Sequence, residues 1–385
     1  MSGAQDFQAT AEGGRPPRLG FVLAALNTGG AERHAVALRQ RLRARGYGTF
    51  LLAIARARSS TLSGAPGAED AVSLDTARVL TSPVAWFGAW RALRRLNADV
   101  IFTVNPACAV VVTALRRLGL LRGRVVCIFH SSRLQRREGL SFAPFRWVAP
   151  SLDALVYISE PQRALWSAQR LKAKRTAVIV NGVDFEGFSA AAFDPAAERA
   201  KLGLSQTDYV IGIVAALRPE KRHRDLIAAV AALRAAGAPA KLLVVGDGAM
   251  RQALTEQVGD LGLSDQVLFA GDQGDVRPFV VACDVCALCS DIETFSLAAL
   301  EILALGTPLV SSDVGAMGQI VQSGVNGLLY PVGSVEQLTA QLARLADPAV
   351  RGPMRSAARP SVQGFEVGRM VDAYEALAKS LFIAP

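Results

Sequence analysis

The chain has 385 residues, of which 51% are hydrophobic and 19% are charged. This length suits two to three domains of roughly 150 residues each. The apolar content excludes a largely disordered chain and a small disulfide-stapled scaffold. The net charge of +9 indicates an anionic partner, namely a nucleic acid, an anionic membrane or a phosphorylated substrate.

The first half of the chain alternates apolar runs of strand length with helical segments. Strands are predicted over residues 19–26, 49–55, 99–104, 124–130, 154–159 and 176–184, helices over 32–46, 83–96, 109–121 and from Pro161, and a loop over 59–75. Such alternation predicts a parallel sheet with helices on both faces.

The second half repeats this alternation. Strands are predicted over 209–217, 240–248, 266–271, 284–290, 307–315 and 324–332, and helices over 223–237, 249–262, 275–283, 295–306, 336–346 and 368–382. The fold class is therefore α/β, with two doubly wound domains. We expect a disordered lead-in over 1–17, an N-terminal domain over 18–185, a C-terminal domain over 186–364, and a last helix over 365–385 that could pack back on the N-terminal domain.

The charge is divided unequally between the two halves. Residues 1–185 hold 26 Lys and Arg against 11 Asp and Glu, a net +15, whereas residues 186–385 hold 16 against 22, a net −6. Two domains with different partners are the expected result.

The five cysteines do not indicate a disulfide framework. Cys283, Cys286 and Cys289 resemble a metal cluster by spacing, but they lie in a segment of strand type. Residues three apart on a strand point to opposite faces, so we expect structural thiols there. Because no secretory signal or membrane-spanning run is evident, we expect a cytoplasmic protein.

Three segments follow predicted strands, at the edge where such sheets bind ligands. Gly29 and Gly30 allow a close backbone approach at the start of a helix, where either a structural turn or an anion site is possible. Arg218 and Lys221 follow the first strand of the second half and suit a diphosphate, with a solvated basic loop as the alternative.

The third segment carries two glutamates, Glu293 in a loop and Glu301 about two turns into the following helix. Ser296 could cap that helix, which would leave the N–H groups near Phe295–Leu297 free to bind an anion. Glu301 interrupts an apolar helix, where an unpaired carboxylate is costly. A sugar nucleotide needs this combination of N–H groups, cations and carboxylate acceptors.

In this order, the motifs resemble those of glycosyltransferase family 4, retaining enzymes with the GT-B fold of two Rossmann-like domains facing across a cleft. The resemblance covers about residues 18–380. The matching residues are Gly29–Glu32, Asn181–Asp184, Arg218–Lys221, Val244–Gly248, the pair Glu293 and Glu301 followed by Gly306–Gly315, and Gly324–Leu329.

The resemblance implies a role for each candidate residue. Arg218 and Lys221 would hold the donor diphosphate in place of a metal ion, so no metal and no other cofactor is expected. Glu301 would accept hydrogen bonds from the ribose, and Glu293 would bind hydroxyl groups of the transferred sugar. Further donor contacts would come from Gly29, Gly30, Gly246, Thr294, Phe295, Ser296 and Leu297. His130 ends a strand where the family often has a histidine near the donor sugar, although a structural histidine is equally compatible.

Two departures from the family pattern bear on the site. The spacing between Arg218 and Lys221 is shorter than is common, and the residues after Glu293 are Thr294, Phe295 and Ser296 rather than glycine-rich. No enzymic nucleophile is evident. The two glutamates share one segment and do not face each other as a glycosidase pair would. Stabilisation of the leaving group would then carry most of the catalysis.

Basic and aromatic residues of the N-terminal half suit an anionic membrane surface and a lipid-linked or saccharide acceptor. Buried tryptophans with solvated arginines are the alternative. The residues are Trp86, Trp90, Arg91, Arg94 and Arg95, and Arg133, Arg136, Arg137, Phe142, Phe145, Arg146 and Trp147. Peripheral attachment to the inner face of the cytoplasmic membrane would follow.

We expect an enzyme that uses a UDP-sugar rather than GDP-mannose in bacterial polysaccharide or glycolipid synthesis. A nonhydrolysing sugar-nucleotide epimerase and a non-catalytic sugar-nucleotide-binding protein are the alternatives. No nucleic-acid-reading motif is present, so nucleic acid is not expected as a partner.

Overall fold

The computed structural model describes residues 15–27, 29–57, 62, 67–132 and 136–383, with only the backbone of residues 136–141. The predicted lead-in lies largely outside these ranges. The chain divides into two compact units, the first formed by Met1–Asn181 with Gly368–Pro385 and the second by Gly182–Val367. The sequence had suggested the divisions at residues 185 and 364, a few positions away.

The first unit contains a seven-stranded parallel sheet. The strand order is β3-β2-β1-β4-β5-β6-β7, which reverses between β1 and β4, and loops at such a reversal diverge and leave room for a ligand. In chain order the elements are β1 (Leu19–Leu23), α1 (Gly30–Ala44), β2 (Thr49–Ala55), β3 (Val72–Thr76), α2 (Pro83–Leu96), β4 (Val100–Val104), α3 (Pro106–Arg117), β5 (Arg124–Phe129), α4 (Arg136–Val148), β6 (Ala154–Tyr157), α5 (Glu160–Ala168) and β7 (Thr176–Val178).

The central strands of this sheet, β1 and β4, are buried along their whole length. Their uniformly apolar sequences follow from coverage of both faces by helices. By contrast, β3 lies where the sequence predicts a loop. It is an edge strand whose side chains are mostly exposed, so no apolar run or burial pattern marks it.

The second unit contains a six-stranded parallel sheet in the order β10-β9-β8-β11-β12-β13. Its order reverses between β8 and β11. In chain order the elements are α6 (Pro195–Lys201), β8 (Tyr209–Val214), α7 (His223–Ala235), β9 (Ala240–Val245), α8 (Arg251–Asp260), β10 (Val267–Gly271), α9 (Arg277–Val281), β11 (Val285–Leu288), α10 (Leu297–Ala304), β12 (Leu309–Ser312), α11 (Met317–Ile320), β13 (Gly327–Tyr330), α12 (Val335–Ala346) and α13 (Pro348–Ser361). Two doubly wound α/β sheets are thus confirmed.

The last helix, α14 (Val367–Ile383), returns to the first unit. Tyr374 is fully buried there, with its ring 5.9 Å from that of Phe102. Glu375 accepts hydrogen bonds from Arg45 Nη1 at 2.6 Å and from Tyr47 Oη at 2.9 Å. An aromatic contact and a charged contact therefore anchor the chain end.

The cysteine arrangement differs from the sequence-based argument. β11 begins only at Val285, so Cys283 lies in the turn after α9 rather than on the strand. An added Cβ at Gly212 would lie 2.5 Å from the Cys283 sulfur and 3.1 Å from the Cys286 sulfur. These two thiols therefore border the same residue and do not point to opposite faces. Among the described residues, no group of three His, Cys, Asp or Glu side chains is placed to hold a metal ion.

One buried carboxylate connects several elements of the first unit. The Asp153 side chain is only 4% exposed and lies just before β6. It accepts the Val125 backbone N–H at 2.8 Å and Lys174 Nζ at 3.0 Å, and it forms an ion pair with Arg116. Burial alone raises the pKa of Asp153, but the hydrogen bonds and cations outweigh it and hold the pKa below its usual value.

We predict that Asp153→Asn lowers the free energy of unfolding by about 1–3 kcal/mol, because cations and an N–H group lose their acceptor. Because the pKa of Asp153 is lower in the folded than in the unfolded protein, the carboxylate stabilises the fold at pH values above the ordinary aspartate pKa. This stabilisation is lost as the pH falls through the folded-state pKa. Urea unfolding from pH 7 to pH 3 should therefore show wild type and variant converging at low pH. Asp260→Asn, at the exposed end of α8, is the control. Equal losses in the two variants would contradict the assignment.

Candidate functional site

The first group of candidate residues follows β8 in the second unit. Arg218 is extended and precedes a single 3-10 turn over Pro219–Lys221. Its side chain is exposed and has no hydrogen bond or ion pair with any residue in the described ranges. Lys221 lies at the end of the turn with 24% of its side chain exposed. The turn thus presents one cation to solvent and directs the other inward.

The second group follows β11, which neighbours β8 in the sheet. Lys221 Nζ lies 2.5 Å from Glu293 Oε1, and the glutamate side chain is 12% exposed. Ser290 Oγ donates to the same carboxylate oxygen at 2.9 Å, and the Asp291 N–H donates to the Glu220 carbonyl at 2.8 Å. An ion pair and a backbone hydrogen bond therefore connect the loops after β8 and β11.

The third group is the start of α10. Ser296 caps this helix, since its Oγ accepts the Ala299 N–H at 3.3 Å. Phe295 is buried, with its ring centroid 5.5 Å from that of Phe365. In the chain, Thr294 precedes Phe295 and Leu297 follows Ser296. Glu301 lies on the helix and is 8% exposed. The helix N-terminus and both glutamates therefore lie on one short segment, of which Glu293 contacts Lys221.

Two glycine turns press against these loops. Gly246, after β9, has φ +134°, and an added Cβ would overlap the Ala215 carbonyl oxygen. Gly315, after β12, has φ +57°, and an added Cβ would overlap the Glu293 carbonyl oxygen. Both positions need glycine because the backbone is left-handed and the neighbouring chain is in contact. The role of Gly315 was not predicted, although its segment was part of the matched pattern.

Other residues in this region were also missed. Ser312 Oγ donates to the Ser290 carbonyl at 2.7 Å and so supports the loop that carries Glu293. Arg222 Nε donates to Asp225 Oδ2 at 2.7 Å, and Arg222 Nη1 donates to Asp291 Oδ1 at 3.1 Å. His223 is buried, and burial with the adjacent Lys221 charge lowers its pKa to about 4.

The remaining candidates, Gly29, Gly30 and His130, belong to the first unit. Gly29 is the N-cap residue of α1, and Gly30 begins that helix. His130 directly follows β5, and its ring centroid lies 5.1 Å from that of His34. Burial lowers the pKa of His34 to about 4 and holds that of His130 well below its usual value. Sequence reasoning gave His34 no role, but it packs against the candidate histidine.

The basic and aromatic residues of the first unit include exposed, half-buried and buried ones, and Trp86 and Trp90 are half-buried against the core. On α2 the side chains of Ala85, Ala89 and Leu93 are buried, whereas Phe87 is 58% exposed. Trp147 is 69% exposed, with the Arg117 guanidinium 4.3 Å from its ring centroid.

The buried members of this set are Phe142 and Phe145, which belong to the core. Arg133 and the side chains of Arg136 and Arg137 lie outside the described residues. No helix in the described ranges has both the length and the apolar character needed to span a bilayer.

Both units match models of known families. Residues 28–186 match the model described as Glycosyltransferase Family 4, and residues 194–359 match the model described as Glycosyl transferases group 1. The crystal structure of Anabaena Alr3699/HepE in complex with UDP-glucose is similar with a TM-score of 0.82 and 21% identity, covering 94% of this chain and 100% of that chain. At this identity the likeness supports the fold alone.

Curated relatives are similar over part of their length. N-acetyl-alpha-D-glucosaminyl L-malate synthase of Bacillus anthracis is 32% identical over 177 residues, which are 46% of this chain and 46% of the relative. D-inositol 3-phosphate glycosyltransferase of Rhodococcus erythropolis is 32% identical over 222 residues, which are 54% of this chain and 50% of the relative. The matches thus span about half the length of these relatives.

We predict that Gly315→Ala destabilises the second unit by about 1–3 kcal/mol, because the side chain forces the turn away from the Glu293 backbone and strains a left-handed residue. The measurement is urea unfolding. Gly318→Ala is the matched control, since an added Cβ there meets only Asp313 Oδ1 at 3.7 Å. A loss no larger in Gly315→Ala than in Gly318→Ala would show that the turn does not constrain Glu293.

Proposed function

The chain belongs to the group 1, family 4 glycosyltransferases, and from this premise we propose that it transfers a sugar from a nucleotide sugar to an acceptor hydroxyl with retention at the anomeric carbon. The donor is a UDP-sugar rather than GDP-mannose, and the acceptor is a lipid-linked or saccharide molecule of bacterial polysaccharide or glycolipid synthesis. The contact between Lys221 and Glu293 carries this proposal. Because both units match glycosyltransferase family models, sugar transfer is favoured over the two alternatives, a sugar-nucleotide epimerase and a non-catalytic sugar-nucleotide-binding protein.

The two cations hold the donor diphosphate. An ammonium group has three N–H donors, and Glu293 Oε1 takes only one from Lys221, so two can reach phosphate oxygens. Arg218 is exposed and can offer its planar fork to the same diphosphate. As the sugar leaves, these donors face the growing negative charge on the nucleoside diphosphate and lower the barrier.

The carboxylates orient the donor. Both described hydrogen bonds to Glu293 use Oε1, so Oε2 can accept a hydroxyl of the transferred sugar. The N–H groups of Phe295–Leu297 lie at the positive end of α10 and add anion-binding donors. Glu301 accepts the ribose hydroxyls, which explains a carboxylate on an otherwise apolar helix. In the first unit, His130, Gly29 and Gly30 are the proposed donor contacts.

We predict that Arg218→Ala raises the Kd for UDP by about 10- to 100-fold, the loss expected for a charged hydrogen bond. The thermal stability without ligand should not change, because the side chain is exposed and has no described partner. Calorimetric titration with UDP is the measurement, and release of nucleoside diphosphate from a panel of UDP- and GDP-sugars is the activity readout. Arg234→Ala, on the exposed end of α7, is the control. Wild-type UDP affinity and turnover in Arg218→Ala would refute the assignment.

The acceptor is reached from an anionic membrane surface that contacts α2. This helix carries no acidic residue, and it presents Val84, Phe87, Arg91, Arg94 and Arg95 to solvent. The Trp90 ring lies 5.4 Å from that of Phe87, and the Arg94 guanidinium lies 5.6 Å from the same indole. Apolar side chains beside arginines suit insertion at the headgroup boundary of an anionic bilayer.

We predict that the protein floats with phosphatidylglycerol-containing liposomes at low salt and that high salt weakens this binding, because screened charges attract less. Arg91→Glu combined with Arg94→Glu should abolish flotation, since each lost arginine removes about 1 kcal/mol of attraction. Lys172→Glu combined with Arg175→Glu reverses two exposed charges elsewhere in the first unit and should leave flotation intact. Equal losses in both double variants would argue for net charge rather than for α2.

A further inference from the structure

A cavity in the second unit lies at the edge of the sheet opposite to Lys221 and Glu293. It borders the residues that precede β8 and β11, and residues of α6 and α13 line it. Its volume is about 310 Å³. The residues that matter to the argument are Arg199, Cys283, Asp284, Arg351, Gly352 and Arg355. None of them belongs to the proposed donor site.

The cavity holds more positive than negative charge. Asp284 accepts Arg199 Nη2 at 2.7 Å on one oxygen and Arg351 Nη2 at 3.2 Å on the other. Arg355 has no carboxylate within 4.0 Å among the described residues, and its Nη2 instead donates to the carbonyls of Cys283 and Asp284 at 2.7 and 2.9 Å. Three guanidinium groups therefore share one carboxylate.

Nearby carboxylates do not offset this excess. Glu198, beside Arg199 in α6, pairs with Lys201 Nζ at 2.8 Å. Asp347 caps α13, because its Oδ1 accepts the Ala349 N–H at 2.8 Å. The charge of Glu198 is balanced by Lys201, whereas Asp347 keeps its charge, so three guanidinium groups still face only two carboxylates, Asp284 and Asp347. An added anion would therefore meet uncompensated arginines.

Limited access to water strengthens the effect of this charge. The side chains of Arg199 and Arg351 are only 10% and 14% exposed. Burial lowers the pKa of the Arg355 guanidinium, although Asp284 acts in the opposite direction. Like charges repel more strongly where solvent screening is weak. A bound anion would relieve this repulsion between the guanidinium groups.

A purely structural role does not use all of the donors. Arg351 Nη1 donates to the carbonyls of Leu345 and Ala346 at 2.7 and 3.0 Å, and Arg199 Nε donates to the Ala282 carbonyl at 2.9 Å. These bonds hold the side chains in place. No described residue accepts from Nε or Nη1 of Arg355. Arg199 also donates from Nη1 to the carbonyls of Gln206 and Asp208 at 3.3 and 3.4 Å. The donors to spare therefore lie on Arg355, and a guanidinium group fixed in this way is preorganised for a ligand.

We propose that this cavity binds a phosphate group, either as inorganic phosphate or as the head of a small phosphomonoester. Guanidinium forks match the geometry of phosphate oxygens and bind them in pairs. A volume of about 310 Å³ exceeds that of one phosphate ion and leaves room for a small organic substituent. The ligand would join α6, α13 and the start of β11, and so stabilise the second unit.

The test is thermal unfolding of the full chain in inorganic phosphate, in glycerol 3-phosphate and in sodium chloride at equal ionic strength. We expect both phosphates to raise Tm by about 2 °C or more over chloride. A larger shift with glycerol 3-phosphate would identify a phosphomonoester, and equal shifts would identify inorganic phosphate. The absence of any shift beyond chloride would overturn the proposal.

A matched pair of variants avoids removing a structural arginine. Gly352 lines the cavity on α13, and an added Cβ there meets nothing within 4 Å. Gly352→Glu places a carboxylate among the arginines and should abolish the phosphate shift, whereas Gly352→Gln has the same shape without the charge and should keep it. Equal shifts in the two variants would contradict the site.

Phosphate bound at the donor site would also raise Tm, so a third variant separates the two sites. Lys221→Met removes a proposed diphosphate contact and should keep the phosphate shift. A shift that disappears in Lys221→Met but persists in Gly352→Glu would assign the ion to the donor site and overturn the cavity proposal. Failure of the donor assignments would leave the Gly352 result unaffected.

Discussion

The ion pair between Lys221 and Glu293 organises the carboxyl edge of the second sheet. It forms because β8 and β11 are neighbours in register, with Val285 opposite Ile211, although more than seventy residues separate them in the chain. The reversal of strand order at this point brings a cationic turn and an acidic loop together. Each group is partly buried, and without its partner each would carry an uncompensated charge. Arg218 and the α10 N-terminus lie on the two loops that this pairing connects.

The turns after the two adjacent strands, β9 and β12, contact the loops that carry this ion pair. The turn after β9 contacts the Ala215 backbone through Gly246, and the turn after β12 contacts the Glu293 backbone through Gly315. Neither glycine has a side chain that could contact a ligand, and the predicted donor contact of Gly246 would use its backbone. Because both lack a side chain, the turn at Gly246 can contact the loop after β8, and the turn at Gly315 can contact the loop after β11. Four neighbouring strand ends are therefore in backbone contact, and the ion pair between Lys221 and Glu293 lies on the two inner ones.

Most of the architecture could be predicted from the sequence because the buried parallel strands are mainly apolar and alternate with helical segments. β3 could not be predicted, since an exposed edge strand is defined by pairing with β2 rather than by its own residues. The thiols of Cys283 and Cys286 were misjudged because the turn before β11 leaves no mark in an apolar run. Lys221, Glu293 and Glu301 could be found from motif order. The support from Ser290 and Ser312, and the contact of His34 with His130, depend on tertiary packing.

The charges of the two halves of the chain act in different ways. The +15 of residues 1–185 includes the exposed arginines of α2, and such charges act together over the Debye length of about 8 Å. They suit attraction to a surface rather than recognition of one group. The second half is net −6, yet arginines and a lysine are concentrated at both edges of its sheet. There Lys221, Arg199 and Arg355 are held by an ion pair or a carbonyl within about 3 Å, so in the two proposed sites geometry rather than net charge would select the anion. Net charge thus describes attraction at a distance, whereas the proposed recognition of phosphate would depend on a few side chains held in place.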